Sequence, residues 1–238
     1  MDDLESQALM TVVAGDLPGL TTLLDAHPEL LRTRDDDRVT LLHEACRSND
    51  ANNSHLPLLD FLLTRGADPN IASENGETPL HLAAENRFPA LVKALLDHGA
   101  RVDATDEDGC TALHRASKIG DVNVVLALLS GQASVDTADE SGNTALLWAC
   151  RNNNPNCVRE LLNAGAAIDR HDFEGVYPLH CAAKFATAEI VEQLLEKGAD
   201  PTCRDDMGQT PLHYAQECEF PEISGDNAKL IAKAIANR

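Results

Sequence analysis

Aromatic side chains are scarce in this chain, at 3% of its 238 residues, although hydrophobic residues as a whole make up 43%. That apolar content excludes a wholly disordered chain. A core that must be built from Leu, Ala, Val and Ile suits closely packed helices better than an aromatic-rich β-sandwich. Positive charge is also scarce: 19 Lys and Arg stand against 39 Asp and Glu, a net charge of −20. Such a chain is repelled by phosphate backbones and anionic lipid surfaces, so neither nucleic acid nor membrane is an expected partner. No apolar run is long enough to span a bilayer. The opening MDDLESQALM is acidic where a secretory leader needs a basic segment. The cysteines at 46, 110, 150, 157, 181, 203 and 218 form no C-x-x-C pair and no metal-ligand spacing. The expectation is reduced thiols in the cytoplasm or nucleus, and no disulfide, metal or cofactor. In that setting the sequon Asn52-Asn53-Ser54 is without consequence.

What the chain does have is repetition. The segments TLLHEAC (40–46), TPLHLAA (78–84), TALHRAS (111–117), TALLWAC (144–150), YPLHCAA (177–183) and TPLHYAQ (210–216) align, and from residue 78 onward they recur every 33 residues. Leu-Leu pairs at 62–63, 95–96, 128–129, 161–162 and 194–195 keep the same step, as do glycines at 76, 109, 142, 175 and 208. Three ladders in one phase define a structural unit. Thr78 is suited to cap a helix, and Pro79 sits at the first helical position, where its missing N–H costs nothing. A second helical run holds Leu91, Val92, Leu95 and Leu96, and Gly99 stands where a left-handed residue ends it. Polar turns such as DEDG (106–109) separate the units. One unit has no core of its own, so only stacking buries both of its helices.

With its T-P-L-H-x-A signature and 33-residue period, the chain resembles the ankyrin repeat over essentially its whole length. The resemblance implies an all-α solenoid of stacked helix-turn-helix units with protruding β-hairpin fingers, working as a protein-binding module. Residues 1–34 are expected to form an N-terminal cap repeat with helices over 4–14 and 17–26 and a polar outer face. A repeat with an insertion at Ser48–Ser54 follows over 35–72, then regular repeats over 73–105, 106–138, 139–171 and 172–204. Residues 205–238 form the C-terminal cap, with about three extra residues near Ser224–Asp226. Its last helix, 227–237, is expected to turn Leu230, Ile231 and Ile235 inward and Lys229 and Lys233 outward. Gln132 replaces the glycine that ends the second helix elsewhere, which predicts local strain.

Catalytic readings find little support. His43, His81, His114, His180 and His213 occupy the signature slot one per repeat, so they cannot converge on an ion, and Leu147 takes the same slot. Their expected role is to bond the backbone of neighbouring turns. Carboxylates gather in turns, as in Asp35-Asp36-Asp37, Asp106-Glu107-Asp108 and Asp205-Asp206, where solvent is the expected setting. Phosphate-loop, dinucleotide, zinc-protease and nucleophile-elbow motifs are missing, so no catalytic residue is assigned. Cys46, Cys150 and Cys181 read as core fillers.

Recognition remains. The variable x of T-x-L-H-x-A holds Glu44, Leu82, Arg115, Trp148, Cys181 and Tyr214, a mixture expected to lie on an open face. One helical turn on stand Arg47, Glu85, Lys118, Arg151, Lys184 and Glu217. The expected partner-binding residues on the concave face are Arg115, Lys118, Trp148, Arg151, Lys184, Phe185 and Tyr214. They suit an acidic protein segment carrying apolar anchors, unless the basic side chains only neutralise nearby finger carboxylates. The chain is expected to be a monomeric adaptor, inhibitor or assembly chaperone. The alternative is a targeting or regulatory domain of a larger enzyme. Its size, unit count and the stretch LLRTRDDDRVTLLHEAC are similar to gankyrin-type proteasome-assembly chaperones, and acidic ankyrin inhibitors of transcription factors or cyclin-dependent kinases are comparable. Asn70, in LLTRGADPN, resembles the target of the asparaginyl hydroxylase that modifies ankyrin repeats; the other reading is that it bonds its own turn.

Overall fold

The computed structural model describes residues 3–47, 55–217 and 221–237. The expected insertion at 48–54 and Cys218 lie outside the described residues. The chain forms two compact units, Met1–Ala112 with Ser130–Ala133, and Leu113–Leu129 with Ser134–Arg238.

Unit 1 contains α1 (Asp3–Val13), α2 (Leu17–Ala26), a 3-10 turn (Pro28–Arg32), α3 (Leu41–Arg47), α4 (Leu56–Thr64), α5 (Pro79–Glu85) and α6 (Pro89–Asp97). Within it α1 packs on α3, α3 on α5 and α4 on α6, so first helices stack on first and second on second. Unit 2 takes up α7 (Ala112–Ile119), which begins on the last residue of unit 1's first segment, and α8 (Val122–Ser130). It continues with α9 (Ala145–Arg151), α10 (Pro155–Asn163), α11 (Pro178–Phe185), α12 (Ala188–Glu196), α13 (Pro211–Gln216) and α14 (Pro221–Ala236). Here α9, α11 and α13 form one layer and α10, α12 and α14 the other.

The first helices are too short to be stable alone, and the sequence fixes their start. Thr78 is extended (φ −96°, ψ 164°), and its side chain and that of His81 form a reciprocal capping box over Pro79. In the second helices the leading leucine of each pair carries the core: Leu62, Leu95, Leu128, Leu161 and Leu194 are all 0% exposed. An asparagine ties repeats together at the far end. Asn154 Nδ2 donates to the Ser117 and Lys118 carbonyls that end α7, and Asn227 Nδ2 donates to those of Ala182, Ala183 and Ala186. Orphan carbonyls at a helix terminus are thereby satisfied from the next repeat.

The fingers differ from the expected β-hairpins. Among the described residues strand pairing is limited to one antiparallel bridge, Ala138 to Thr144. Each finger is a tight turn closed by its own backbone bonds, and in the finger of residues 106–110 a carboxylate caps it. Asp106 N donates to the Cys110 carbonyl, while Asp106 Oδ1 accepts from the N–H of Asp108 and of Cys110. Pairing runs between fingers instead: Glu107 N donates to the Asn75 carbonyl in unit 1, and in unit 2 Phe173 N reaches Ser141 and Asp206 N reaches Glu174. Fingers therefore lie backbone on backbone. A Cβ on Gly142 would come within 2.8 Å of the Phe173 ring and 2.9 Å of its nitrogen.

Two expectations for the ends need correction. The outside of the N-terminal cap is mixed rather than wholly polar: Asp3, Gln7, Asp16 and Asp25 are exposed, but so are Met10, at 70%, and Val13, at 51%. The last helix starts earlier than 227, at Pro221, and the extra residues near 224–226 fall within it. Ile231 is buried as expected and Leu230 is half-buried, but Ile235, in the last turn of the helix, is exposed. Gln132 adopts φ +66°, the strained conformation its position predicts.

Candidate functional site

The signature histidines form a structural ladder. Backbone N–H groups of Thr40, Thr78, Tyr177 and Thr210 donate to Nδ1 of His43, His81, His180 and His213. An N–H can only donate, so Nδ1 is the acceptor and Nε2 carries the proton. Nε2 then donates to the next turn: His43 to Glu77, His81 to Cys110, His114 to Asn143 and His180 to Gln209, at 2.9–3.1 Å. Burial lowers the pKa of His43 and His180, against the opposing pull of those carbonyls. Leu147 fills the same slot at 0% exposure. Among the described residues no His, Cys, Asp or Glu side chains group as a metal site, and no helix is long and apolar enough to cross a membrane.

Of the variable positions, two are not on an open face: Leu82 is 5% and Cys181 1% exposed. These are the two apolar side chains without a polar end to keep in water, whereas Trp148, Tyr214, Arg115 and Glu44, each with one, remain half-exposed. Burial pushes the Cys181 thiol up to about 11, despite Arg151 beside it, and pushes up that of Cys150 as well. Both are protonated fillers rather than nucleophiles.

All the expected partner-binding residues lie in unit 2, on α7, α9, α11 and α13. Lys118 Nζ sits 4.9 Å from the Trp148 ring centroid. Lys184 Nζ lies 5.5 Å from the Phe185 ring and 5.7 Å from that of Tyr214. Each lysine thus holds a ring by its negative face. Arg115 is half-buried one turn before Lys118. Arg151, Lys184, Phe185 and Tyr214 line a cavity of about 390 Å³ with Glu174, Val176 and Cys181.

What holds this face in place was not read from the sequence. Asp139, Asp172 and Asp205 are not solvated finger charges; they are 7%, 4% and 7% exposed. In each, Oδ1 accepts backbone N–H groups of its own turn and Oδ2 takes a side chain from the face. Trp148 Nε1 donates to Asp139 at 3.0 Å, Arg151 to Asp172 at 2.5 Å and the Tyr214 hydroxyl to Asp205 at 2.8 Å. Burial disfavours charge on Asp205, but the Tyr214 hydroxyl and the turn N–H groups outweigh it and hold the carboxyl below the usual range. Burial and that same acceptor push the Tyr214 phenol up. The signal was present as a further ladder, Asp at 106, 139, 172 and 205, each three residues before a finger glycine. Arg151 accordingly neutralises a finger carboxylate, whereas Lys118 and Lys184 stand over rings.

Asn70 lies apart from this face, in unit 1. Its Nδ2 donates to the Gly99 carbonyl and its Oδ1 accepts from Arg101 N at 2.7 Å, so the amide bridges to the next repeat at both ends.

A family model described as ankyrin repeats matches the chain in three copies, over residues 42–139, 132–205 and 170–233. The ankyrin repeat domain of Bcl-3, a member of the IkappaB protein family, is 29% identical, with a TM-score of 0.77, and the match covers 94% of this chain and 97% of that one. The human ASB11 ankyrin repeat domain is 26% identical, with a TM-score of 0.80 and 98% of both chains covered. The E3 ubiquitin-protein ligase XB3 of Oryza sativa subsp. japonica is 41% identical over 71 residues. That stretch is 29% of this chain and 15% of the rice protein.

Proposed function

Because the chain belongs to the ankyrin-repeat family, whose domains generally mediate protein–protein interactions, we propose that it is a non-catalytic binding module whose partner lies across the first-helix face of unit 2. The observation that carries this reading is the set of buried aspartates pinning Trp148, Arg151 and Tyr214 in place. Buried carboxylates are costly unless matched, and these fix surface aromatics before a partner arrives, which lowers the ordering cost of binding. The partner's chemistry follows from Lys118 and Lys184: an acidic segment with one or two apolar anchors, which the chain binds as an adaptor, inhibitor or assembly chaperone.

The test is a randomised peptide display selected on the intact chain. Selected sequences should pair Asp or Glu with an aromatic or aliphatic residue, and their binding should be lost in Trp148→Ala with Lys118→Glu and Lys184→Glu. Arg151 is left alone, because a carboxylate there would face the buried Asp172 and test folding instead. Selected peptides without acidic residues, or binding unchanged in that folded variant, overturn the reading.

One observation favours a second reading, a targeting domain within a larger protein: the rice ligase is matched over a small part of its own length. The mass of the native protein decides it, since a product well above 25.6 kDa supports the larger protein. Hydroxylation of Asn70 is a further proposal, and peptide mass after incubation with the hydroxylase and 2-oxoglutarate tests it. The enzyme would have to break both bonds of that amide.

A further inference from the structure

Away from the helix face, the most exposed large apolar side chains of unit 2 are Phe173, at 74%, and Met207, at 86%. Both stand at finger tips, in DFEG (172–175) and DDMG (205–208), where the other fingers carry Asp36-Asp37, Glu74-Asn75, Glu107-Asp108 and Glu140-Ser141. Folding does not call for apolar groups there. The Phe173 ring edge covers Gly142 of the preceding finger, but most of the ring remains in water.

The two tips are fixed in a row. Phe173 N is bonded to the Ser141 carbonyl and Asp206 N to that of Glu174, at 3.0 and 3.1 Å. A Cβ on Gly175 would meet Asp206 N at 2.8 Å, so the fingers cannot pack closer. Apolar groups presented on a fixed backbone bind at a small ordering cost. The charge around them is opposite to that of the helix face: Glu140, Glu174 and Asp206 are exposed beside the tips. Two cations stand three residues before the apolar tips: Arg204 is turned back onto the Gly208 carbonyl at 2.7 Å, and Arg170 is exposed, against three exposed carboxylates. Glu174 also lines the 390 Å³ cavity opposite Lys184, so the acidic row and the basic face share one border.

We propose that the tips of fingers 172–175 and 205–208 form a second docking row, which takes a partner segment with an aliphatic or aromatic side chain flanked by lysine or arginine. This row does not depend on the acidic element assigned to the helix face. A partner using both would turn its acidic side to the helices and its basic side to the tips.

The chain holds only 3 Met, so a methyl-labelled Met207 signal is easily resolved. Three synthetic peptides with the same Leu-Trp-Leu centre, flanked by Lys, by Glu or by Ser, serve as probes. The Lys-flanked peptide should shift the Met207 methyl with a dissociation constant below about 1 mM. In Phe173→Ser its affinity should fall at least about tenfold. Glu174→Lys with Asp206→Lys should transfer the preference to the Glu-flanked peptide. Trp148→Ala with Lys118→Glu should leave Lys-flanked binding within about twofold, because neither residue lines the border cavity that Glu174 shares with Lys184. Circular dichroism checks folding in each variant. The docking row is overturned if the three peptides bind alike, if none binds, or if Phe173→Ser is without effect. Loss of Lys-flanked binding in the Trp148 variant alone also removes it, while the helix-face reading stands. Retained Lys-flanked binding together with no response to the Glu-flanked peptide removes the helix face and keeps the tips.

Discussion

Units 1 and 2 bury the same slots and expose different ones. In both, the leading leucines are fully buried and the signature histidines reach the next turn through Nε2. Their first-helix faces diverge. In unit 1 the variable residues of α3, Glu44 and Arg47, pair with each other at 3.2 Å, and Leu82 of α5 is buried. In unit 2 the equivalent positions hold Trp148 and Tyr214, each tied to a buried aspartate, with lysines over the rings. Positions that repeat carry the fold, and positions that vary set what each unit exposes.

The strongest way to break this comparison is to damage both cores equally. Leu62→Ala in unit 1 and Leu128→Ala in unit 2 should each cost about 2–5 kcal/mol, the range for truncating a fully buried leucine. Chemical denaturation of each variant measures it. A loss in one unit only would show that the rungs are not equivalent and that sequence period is a poor guide to packing here.

The next largest effect separates the faces. Trp148→Ala should weaken binding of an acidic, apolar-anchored peptide by about 2 kcal/mol. Trp148→Phe keeps the ring under Lys118 but removes the N–H to Asp139, so it should lose less. In unit 1, Leu82→Ala should leave peptide affinity unchanged, though it costs stability. Titration of the folded variants decides, and equal losses from the two units would mean that the binding face is not confined to unit 2.

The period, the glycine ladders, the histidine slot and the strain at Gln132 were legible in the sequence because each is a property of one position in the repeat. Burial at the variable slot was not. Whether Leu82 or Cys181 sinks out of sight depends on what the next repeat places beside it, and a period does not encode that. Asp139, Asp172 and Asp205 were misread for a related reason. Counted as charge they belong in water; counted as acceptors they cap the finger turns beside the backbone bonds that close each. The face residues were legible as a group, whereas the aspartates that pin them were not. Phe173 and Met207 were visible as letters, but only their exposure at the tips gives them meaning.

A smaller effect should appear in both units alike. Folding lowers the pKa of His43 and His180 from the ordinary value near 6.5. The unfolded chain therefore takes up these protons first, so the neutral histidines contribute stability above about pH 6.5 that is lost as pH falls toward their folded values. The melting temperature should drop between pH 7.5 and 5.5. His43→Leu and His180→Leu, the residue found naturally at Leu147, should each reduce that drop. Should only one do so, the ladder is not the same device in the two units.

The smallest effect concerns two kinds of glycine. Those at finger turns that another finger follows face its backbone, as at Gly76, where a Cβ would stand 2.9 Å from Glu107 N, whereas a Cβ on Gly208 meets nothing within 4 Å. At the ends of second helices the conformation is equally left-handed, but a Cβ on Gly99 meets nothing within 4 Å. Only the backbone conformation opposes a side chain there, and Gln132 holds it at φ +66°; in the first finger Arg38 takes the glycine position at φ +63°. A left-handed conformation costs an ordinary residue about 1–2 kcal/mol, and glycine gives back about 0.5–1 kcal/mol in unfolded-chain entropy. Gln132→Gly should thus stabilise the chain by about 0.5–1 kcal/mol, and Gly99→Gln should cost a similar amount. Gly76→Ala carries the same conformational cost plus the collision with the next finger, so it should lose distinctly more than Gly99→Ala. Denaturation midpoints of the four variants give the comparison directly. Equal losses at Gly76 and Gly99 would mean that the fingers yield to one another, and the fixed row of tips bearing Phe173 and Met207 would lose its rigidity with them.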